Sequence, residues 1–222
     1  MWDANQSLNG YVGMGVEAGL PELFQDIQGM NCLEIGYGSG SLLKYLQDRG
    51  NQVTGVDCSD TNFYTARGKG VNGALLKMDV SNERLPFIDG IFDAVFLFEV
   101  LEHVSNPINA LQEAKRVARE DAIFIISHPM PRMIEGYKEF RHAFNYPGLF
   151  EKKHFDRFLM QLNFQYDQYR EHSYHAYYRL LNKRYDRINI LDAINLDINA
   201  NDHYGNLNWD IELEPVEKGP HD

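Results

Sequence analysis

The sequence contains little cysteine, no long apolar run and few basic residues, and each shortage excludes a class of protein. Cys32 and Cys58 are the only cysteines among 222 residues, too few for a small secreted domain held by disulfides. Both adjoin apolar runs, so we expect reduced core thiols in a cytoplasmic protein. No run approaches the roughly 18 uncharged apolar residues of a membrane span. The first ten residues lack the basic and apolar regions of a signal peptide.

Acidic residues outnumber basic ones, with 32 Asp and Glu against 21 Lys and Arg, and the net charge is −11 at pH 7. Nucleic-acid phosphates favour a basic face, so long nucleic acid is not an expected partner. Much of the acid lies near the C-terminus, where residues 190–222 contain eight acids and one base. The chain is long enough to bury a core without disulfides, and we predict a single domain over residues 1–222.

Apolar segments with strand-like and helix-like patterns alternate along most of the chain. This alternation predicts an α/β fold built on a parallel sheet, with right-handed crossovers. After the fifth predicted strand, the alternation gives way to a segment rich in proline and aromatic residues. The predicted strands are 30–35, 52–57, 74–79, 91–100, 122–127, 164–175 and 208–216, and the predicted helices are 16–28, 41–50, 61–70, 108–119, 150–163 and 176–194.

A glycine-rich stretch, EIGYGSG from Glu34 to Gly40, directly follows the first predicted strand and opens a helix. Glycines let the backbone turn sharply and approach a ligand, and the helix start offers unpaired N–H groups. Asp57 ends the second predicted strand, where a carboxylate can accept hydrogen bonds from a ribose diol. The spacing G-x-G-x-G differs from the dinucleotide pattern G-x-G-x-x-G. Glu34 would repel a pyrophosphate and attract an ammonium group, which favours a cationic nucleoside.

These motifs, with MDV at 78–80 and FDAVFLFEVLEHV at 92–104, resemble those of class I S-adenosylmethionine (SAM)-dependent methyltransferases over residues 30–127. The resemblance implies a three-layer sandwich: a seven-stranded, mostly parallel sheet with an antiparallel last strand, and helices on both faces. The run at 208–216 suits that last strand. The resemblance also implies SAM as cofactor and S-adenosylhomocysteine (SAH) as product. The SAM-binding residues that it implies are Glu34 before the loop, Gly36, Tyr37, Gly38 and Gly40 in the loop, Asp57 at the ribose with Cys58 after it, Asp79 and Val80 at the adenine, and Phe98 and Glu99 at the methionine moiety.

The EVLEHV stretch contains the first catalytic candidate, His103, and resembles ubiquinone-biosynthesis O-methyltransferases. We expect Glu99, Glu102 and His103 to share a helical turn, with His103 facing the acceptor. The second catalytic candidate is His128, which follows the fifth strand at the ligand edge of the sheet. The same spacing also resembles small-RNA 2′-O-methyltransferases, in which two such acids and the histidine bind a divalent metal with a downstream histidine, here His142. Many relatives with L-E-H-V use no metal, and we expect none here.

Residues 128–148 and about 165–205 are predicted to form a cap on the acceptor side, because the first segment is too long for a simple connection. The expected function is methyl transfer from SAM to oxygen or nitrogen of a small-molecule acceptor, by in-line displacement. Three alternatives stay open: a nicotinamide-dependent oxidoreductase, a metal-using enzyme like the RNA 2′-O-methyltransferases, and a non-catalytic partner subunit of the same fold. The tyrosine-rich run at 166–185 could form a homodimer face.

Overall fold

Strands and helices alternate along the chain in the computed structural model, which describes residues 21–130, 147–172 and 175–183. Short 3-10 helices occupy Pro21–Phe24, within the helix predicted at 16–28, and Pro147–Phe150. The elements are β1 (Asn31–Ile35), α1 (Ser41–Asp48), β2 (Gln52–Asp57), α2 (Asp60–Gly68), β3 (Ala74–Lys77), β4 (Phe92–Phe98), α3 (Pro107–Val117), β5 (Ala118–Pro129), α4 (Lys152–Gln161), β6 (Phe164–His172) and β7 (His175–Asn182).

The strands form one sheet in the order β3-β2-β1-β4-β5-β7-β6. Strands β1 to β5 pair in parallel, whereas β7 runs antiparallel to both β5 and β6. The predicted seven-stranded sheet with an antiparallel last strand is therefore confirmed. The strand order reverses between β1 and β4, which creates a crevice at their carboxyl ends where open α/β sheets bind ligands.

The antiparallel strand, however, is not the segment that the sequence suggested. Residues 176–182 were predicted to be helical, but they belong to β7, and this prediction is wrong. Both faces of β7 are buried, with Tyr178 packed in one core and Tyr177 in the other. A strand buried on both faces lacks polar alternation and cannot be distinguished by periodicity from a buried helix. The run at 208–216 lies outside the described residues.

Helices cover both faces of the sheet and define two cores. Helices α3 and α4 pack on one face, where Leu111 and Phe155 are fully buried. Helix α1 and the segment 21–27 cover the other face, through Leu43 and Phe24. This arrangement confirms the predicted three layers. None of the described helices is long and apolar enough to cross a membrane.

Arg179 of β7 fastens the segment 21–27 to the sheet. Its side chain is only 5% exposed. The guanidinium donates to the Asp26 carboxylate at 2.6 and 2.9 Å, to Asp167 at 2.7 Å and to the Leu23 carbonyl at 2.6 Å. The fastened segment places the Phe24 ring in a stack at the end of β4, beside the crevice.

Part of the predicted cap belongs to the sheet instead. Within the segment 165–205, residues 165–172 and 175–182 lie in β6 and β7. Residues 131–146 and those after 183 lie outside the described part of the chain. The cap over 128–148 therefore stays a prediction, as does the single domain over 1–222.

Candidate active site

The glycine loop after β1 is packed closely at two of its glycines and not at the third. Gly36, Gly38 and Gly40 all have left-handed backbones, with φ of +73°, +49° and +74°. A Cβ at Gly36 would lie 2.3 Å from Val100 Cγ2, and one at Gly40 would lie 2.5 Å from the Ala66 methyl carbon, so both positions need glycine for packing. A Cβ at Gly38 would meet no atom of the described residues within 4 Å. The loop therefore leaves its Gly38 side free for a ligand.

Asp57 ends β2 beside this loop and is 7% exposed. One carboxylate oxygen accepts a hydrogen bond from the Gly38 N–H at 2.9 Å. The other accepts from the Ser59 N–H at 2.8 Å and the Asn62 side-chain amide at 3.1 Å. A carboxylate offers about four lone-pair positions, so these three bonds leave one for a ligand hydroxyl. Asp57 thus has a structural role, bracing the loop against α2, that the sequence analysis did not predict.

The side chains predicted near the adenine follow the end of β3, and Cys58 follows the end of β2. Asp79 lies exposed two residues beyond β3, where its carboxylate accepts from the Ser81 N–H at 2.9 Å, and Val80 is buried. Cys58 is exposed, so the expectation that both cysteines are core thiols is wrong for this residue, which lies just past β2. Partial burial and the Asp57 carboxylate raise the pKa of the Cys58 thiol, which is therefore neutral at pH 7.

Glu34 lies in β1 under the loop and is 4% exposed. Its Oε2 atom is buried without a hydrogen-bond partner among the described residues. Burial, and secondarily the Asp57 carboxylate, raises the pKa of Glu34 well above its usual range. A buried acceptor without a partner is costly, and an ammonium group is a donor that would satisfy it. This arrangement fits the amino group of SAM.

Tyr37, also predicted to bind the cofactor, turns its side chain into the core. It is 3% exposed, and its ring occupies the space above Gly55 of β2, where a Cβ would lie 2.6 Å from Tyr37 Cδ1. Burial raises the pKa of its phenol to about 12. The buried Tyr37 side chain therefore packs in the core and does not face the crevice.

Glu99 follows β4 at the opposite wall of the crevice. It has a left-handed backbone with φ of +53°, which is strained for a residue with a side chain, and it is 8% exposed. Its Oε1 accepts from the Ser127 hydroxyl at 2.6 Å, and its Oε2 lies 3.3 Å from His175 Nε2. Burial raises the pKa of Glu99 to about 8. Phe98, before it, is 9% exposed and stacks on Phe24.

The residues after Glu99 form a hydrogen-bonded turn and not the predicted helical turn, with the His103 N–H donating to the Val100 carbonyl at 2.9 Å. Glu102 is 1% exposed, and its Oε2 atom has no hydrogen-bond partner among the described residues. Burial, and then the Glu99 charge, raises the pKa of Glu102 well above its usual range. The His103 side chain is 27% exposed, and its Nε2 lies 3.8 Å from Glu102 Oε1. His103 is thus the accessible imidazole of this turn.

His175 is a site residue that the sequence analysis missed. It begins β7, and because β7 is antiparallel, its first residue lies at the carboxyl end of β5, paired with Pro129. Its side chain is 14% exposed and contacts Glu99. Recognising 175–182 as an antiparallel strand is the signal that would have placed His175 at this edge.

His128 is enclosed on the other face of β5. It has no exposed surface, and its ring lies among those of Phe150, Phe155 and Tyr178, with centroid distances of 5.1, 4.4 and 5.5 Å. Its Nδ1 hydrogen-bonds the Pro129 carbonyl at 2.8 Å, and burial lowers the pKa of the imidazole to about 4. Alternation along the strand turns Ser127 toward Glu99 and His128 away from it. The structure therefore supports a packing role for His128, not the predicted catalytic one.

No group of histidine, cysteine and carboxylate side chains within 21–130, 147–172 and 175–183 is arranged to hold a metal ion. His142, which completes the metal set of the alternative hypothesis, lies outside these ranges.

Comparisons with known proteins agree with this geometry. A family of proteins described as "Methyltransferase domain" matches residues 33–126. The ubiquinone biosynthesis O-methyltransferase of Dechloromonas aromatica is 31% identical over 99 residues, which are 42% of this chain and 41% of that protein. The demethylmenaquinone methyltransferase of Tropheryma whipplei is 31% identical over 104 residues, 46% of this chain and 44% of that protein. The chain thus aligns with less than half the length of these relatives.

Solved structures share the fold at low sequence identity. A SAM-dependent methyltransferase from Aquifex aeolicus superposes with a TM-score of 0.64 at 20% identity, covering 82% of this chain and 99% of that one. The [4+2]-cyclase SpnF superposes with a TM-score of 0.57 at 22% identity, covering 68% of this chain and 56% of that one. The sheet order, the glycine loop and the family match lead to one conclusion: the chain has the class I SAM-dependent methyltransferase fold, and its residues 33–126 are similar to the methyltransferase-domain family.

Proposed function

We propose that the protein is a SAM-dependent methyltransferase that methylates oxygen or nitrogen of a small molecule. The observation that supports this most directly is the partnerless buried Oε2 of Glu34 beneath a glycine loop whose Gly38 side is open. A cationic ligand with an amino group satisfies the first feature and occupies the second. The pyrophosphate of a nicotinamide cofactor would meet the buried carboxyl instead, which disfavours the oxidoreductase hypothesis.

The residues of this chain divide the work of holding the cofactor. Glu34 and the Gly36–Gly40 backbone would hold the methionine moiety, Asp57 a ribose hydroxyl, and Asp79 with Val80 the adenine. When bound, SAM supplies a methyl group that is attached to a positively charged sulfur. The acceptor's lone pair forms the new bond to the methyl carbon, and the electron pair of the broken carbon–sulfur bond stays on sulfur. Positioning the acceptor in line with that bond supplies much of the rate enhancement.

His103 is the residue that we propose as general base. A hydroxyl or ammonium acceptor must lose a proton, and an accessible imidazole near the β4 end can take it. Its side chain is the more exposed of the two histidines at this edge, 27% against 14% for His175. The buried Glu102 beside it would fix the orientation of the ring.

The acceptor is proposed to be a small aromatic molecule bearing a hydroxyl group. Two relatives that align with part of this chain are named ubiquinone biosynthesis O-methyltransferase and demethylmenaquinone methyltransferase. The net charge of −11 disfavours a long nucleic acid. We propose that 128–148 covers this acceptor, because it leaves β5 at the same edge of the sheet as His103.

The fold also supports other chemistry, as the structural likeness to a [4+2]-cyclase demonstrates, so the activity needs a direct test. Calorimetry should detect saturable binding of SAM and SAH and none of NADH. Transfer of a labelled methyl group to a panel of phenols, catechols, quinols and amines then tests the acceptor class. Absence of SAH binding, or saturable NADH binding, would overturn the proposal.

The proposed base has its own test. His103→Ala should keep the wild-type affinity for SAH but lose roughly 10²–10⁴ in kcat, since only proton removal is affected. His154→Ala, on α4, is the matched control and should keep its turnover. An unchanged kcat in His103→Ala would assign that histidine a structural role.

A further inference from the structure

A small cavity lies on the α4 side of the sheet, behind β5. His128 of β5 and Tyr178 of β7 line it, together with Phe150, which precedes α4. His128 and Tyr178 have no exposed surface. The cavity is separate from the cofactor crevice, because Ser127, the neighbour of His128, lies on the opposite face of β5 and donates to Glu99.

His128 and Tyr178 each bring a polar atom that lacks a hydrogen-bond partner. Among the described residues, neither the Nε2 atom of His128 nor the hydroxyl oxygen of Tyr178 has one. The two rings stack with their centroids 5.5 Å apart, but these two atoms do not bond each other. Buried polar atoms in native proteins almost always have a partner, because leaving one unsatisfied is costly. Two such atoms on residues that line one cavity therefore indicate an occupant.

The hydrogen bond between His128 and the backbone determines what that occupant must offer. The Nδ1 atom lies 2.8 Å from the Pro129 carbonyl oxygen, and a carbonyl oxygen only accepts, so Nδ1 carries the hydrogen. Burial lowers the pKa of this imidazole to about 4, which makes the ring neutral at pH 7. In the neutral ring the Nε2 atom then has a lone pair and no hydrogen. The occupant must therefore donate a hydrogen bond to Nε2.

The charges around the cavity favour a neutral occupant. An anion would face the lone pair of His128 Nε2, and burial raises the pKa of Tyr178, so its phenol is neutral as well. Lys152, a cation in the lining, already pairs with Asp156 at 2.6 Å and lies over the Tyr169 ring at 4.4 Å. A hydroxyl group meets both requirements, since it can donate to Nε2 and accept from the Tyr178 O–H.

The size of the cavity limits how much of a ligand can enter it. The free space has room for about one water-sized group. A water molecule fits entirely, whereas a larger molecule would place only its hydroxyl inside. The rest of that molecule would lie toward Glu151 and Lys152, which line the cavity and are partly exposed.

We propose that this cavity is a binding site for a neutral hydroxyl group, which bridges His128 Nε2 and the Tyr178 hydroxyl. The hydroxyl belongs either to a water molecule or to a small phenol or alcohol, because both offer the same donor and acceptor. The bridge would connect β5 with β7 on the side of the sheet away from Glu99. The inference goes beyond the proposed function and holds equally for a chain that binds no SAM.

Crystal structures of the wild-type chain near pH 7, grown without additive, with phenol and with benzene, test the site. We expect an ordered oxygen atom about 2.7–3.2 Å from both His128 Nε2 and the Tyr178 hydroxyl oxygen. If that oxygen belongs to phenol in the phenol crystals, the site takes an organic hydroxyl, and if it stays a water, the site takes water. Benzene lacks a hydroxyl and should stay out. No oxygen in the additive-free and phenol crystals, or benzene inside the cavity, would overturn the inference.

A pair of tyrosine variants tests the bridge itself. Tyr178→Phe keeps the ring but removes one of the two partners, and a buried water needs two to four, so the oxygen should be lost. Tyr166→Phe is the matched control, because the Tyr166 hydroxyl already donates to Asp156 at 2.6 Å, and it should retain the oxygen. An oxygen that stays in place in Tyr178→Phe would contradict the bridge. If that variant fails to fold, the wild-type crystals still decide.

Discussion

The open side of Gly38 offers a sharp test of where the cofactor lies. Gly38 and Gly50 both have left-handed backbones, with φ of +49° and +84°, and in the part of the chain that the structure describes a Cβ at either would meet no atom within 4 Å. Alanine at either position pays the same kind of conformational cost, about 1–2 kcal/mol in the free energy of unfolding. The two sites differ in their surroundings. Gly38 precedes α1 and faces the crevice beside Asp57, whereas Gly50 follows the other end of that helix.

The effect on binding should therefore separate the two variants. In Gly38→Ala the added methyl occupies space that the cofactor needs, and overpacking of one methyl costs about 1–3 kcal/mol. This corresponds to an SAH affinity lower by roughly 5- to 150-fold. Gly50→Ala should bind SAH as the wild type does.

Urea denaturation measures the first quantity and calorimetry with SAH the second. Similar stabilities with a selective loss of SAH affinity in Gly38→Ala would support the proposed position of the cofactor. Wild-type SAH affinity in Gly38→Ala would refute it, because a ligand that contacts that side of the loop could not tolerate the added methyl group. Gly36→Ala is a useful contrast, because its methyl would lie 2.3 Å from Val100 Cγ2. This variant should have a lower free energy of unfolding even without ligand.

Three further outcomes are expected. Asp57→Ala should weaken SAH binding by roughly 1.5–3 kcal/mol and also destabilise the fold, since it removes three hydrogen bonds; calorimetry with the exposed Asp60→Ala as control checks this. Arg179→Met should lower the free energy of unfolding, measured in urea, by roughly 2–3 kcal/mol. This is less than the loss expected for a fully buried ion pair, because the acidic partners of Arg179 are partly exposed. His128 has a depressed pKa of about 4, so its contribution to stability is present above pH 6.5 and is lost as the pH falls toward 4. His128→Leu should therefore lose about 2 kcal/mol less stability than the wild type between pH 7 and pH 5.

The predictions from sequence succeeded where the position of a residue at the end of a strand determines where it lies in the fold. Asp57 and Glu34 could be placed at the crevice because the carboxyl ends of parallel strands meet at one edge, and the glycine loop marks which edge that is. The side of the sheet on which a side chain lies was harder to predict. His128 follows a strand at the correct edge, yet alternation turns it into the aromatic core, and only the register with β4 and β7 decides this.

The misassignment of β7 had a larger consequence than one element. Tyr177 and Tyr178 are buried on opposite faces, so the segment offers no polar alternation by which a strand could be recognised. With a helix predicted there, His175 had no defined place relative to Glu99, although the two lie 3.3 Å apart. Contacts between residues 76 positions apart depend on strand pairing, which the sequence pattern alone does not determine.

The three buried acids at the crevice, Glu34, Glu99 and Glu102, are connected by one physical argument. Burial raises the pKa of each, so in the free protein they can remain protonated and avoid the large cost of buried charge. No described lysine or arginine compensates them, which would be a defect if the crevice were only part of the core. A ligand that brings positive charge would offset the cost of ionising these buried acids, so a cation is favoured at this edge.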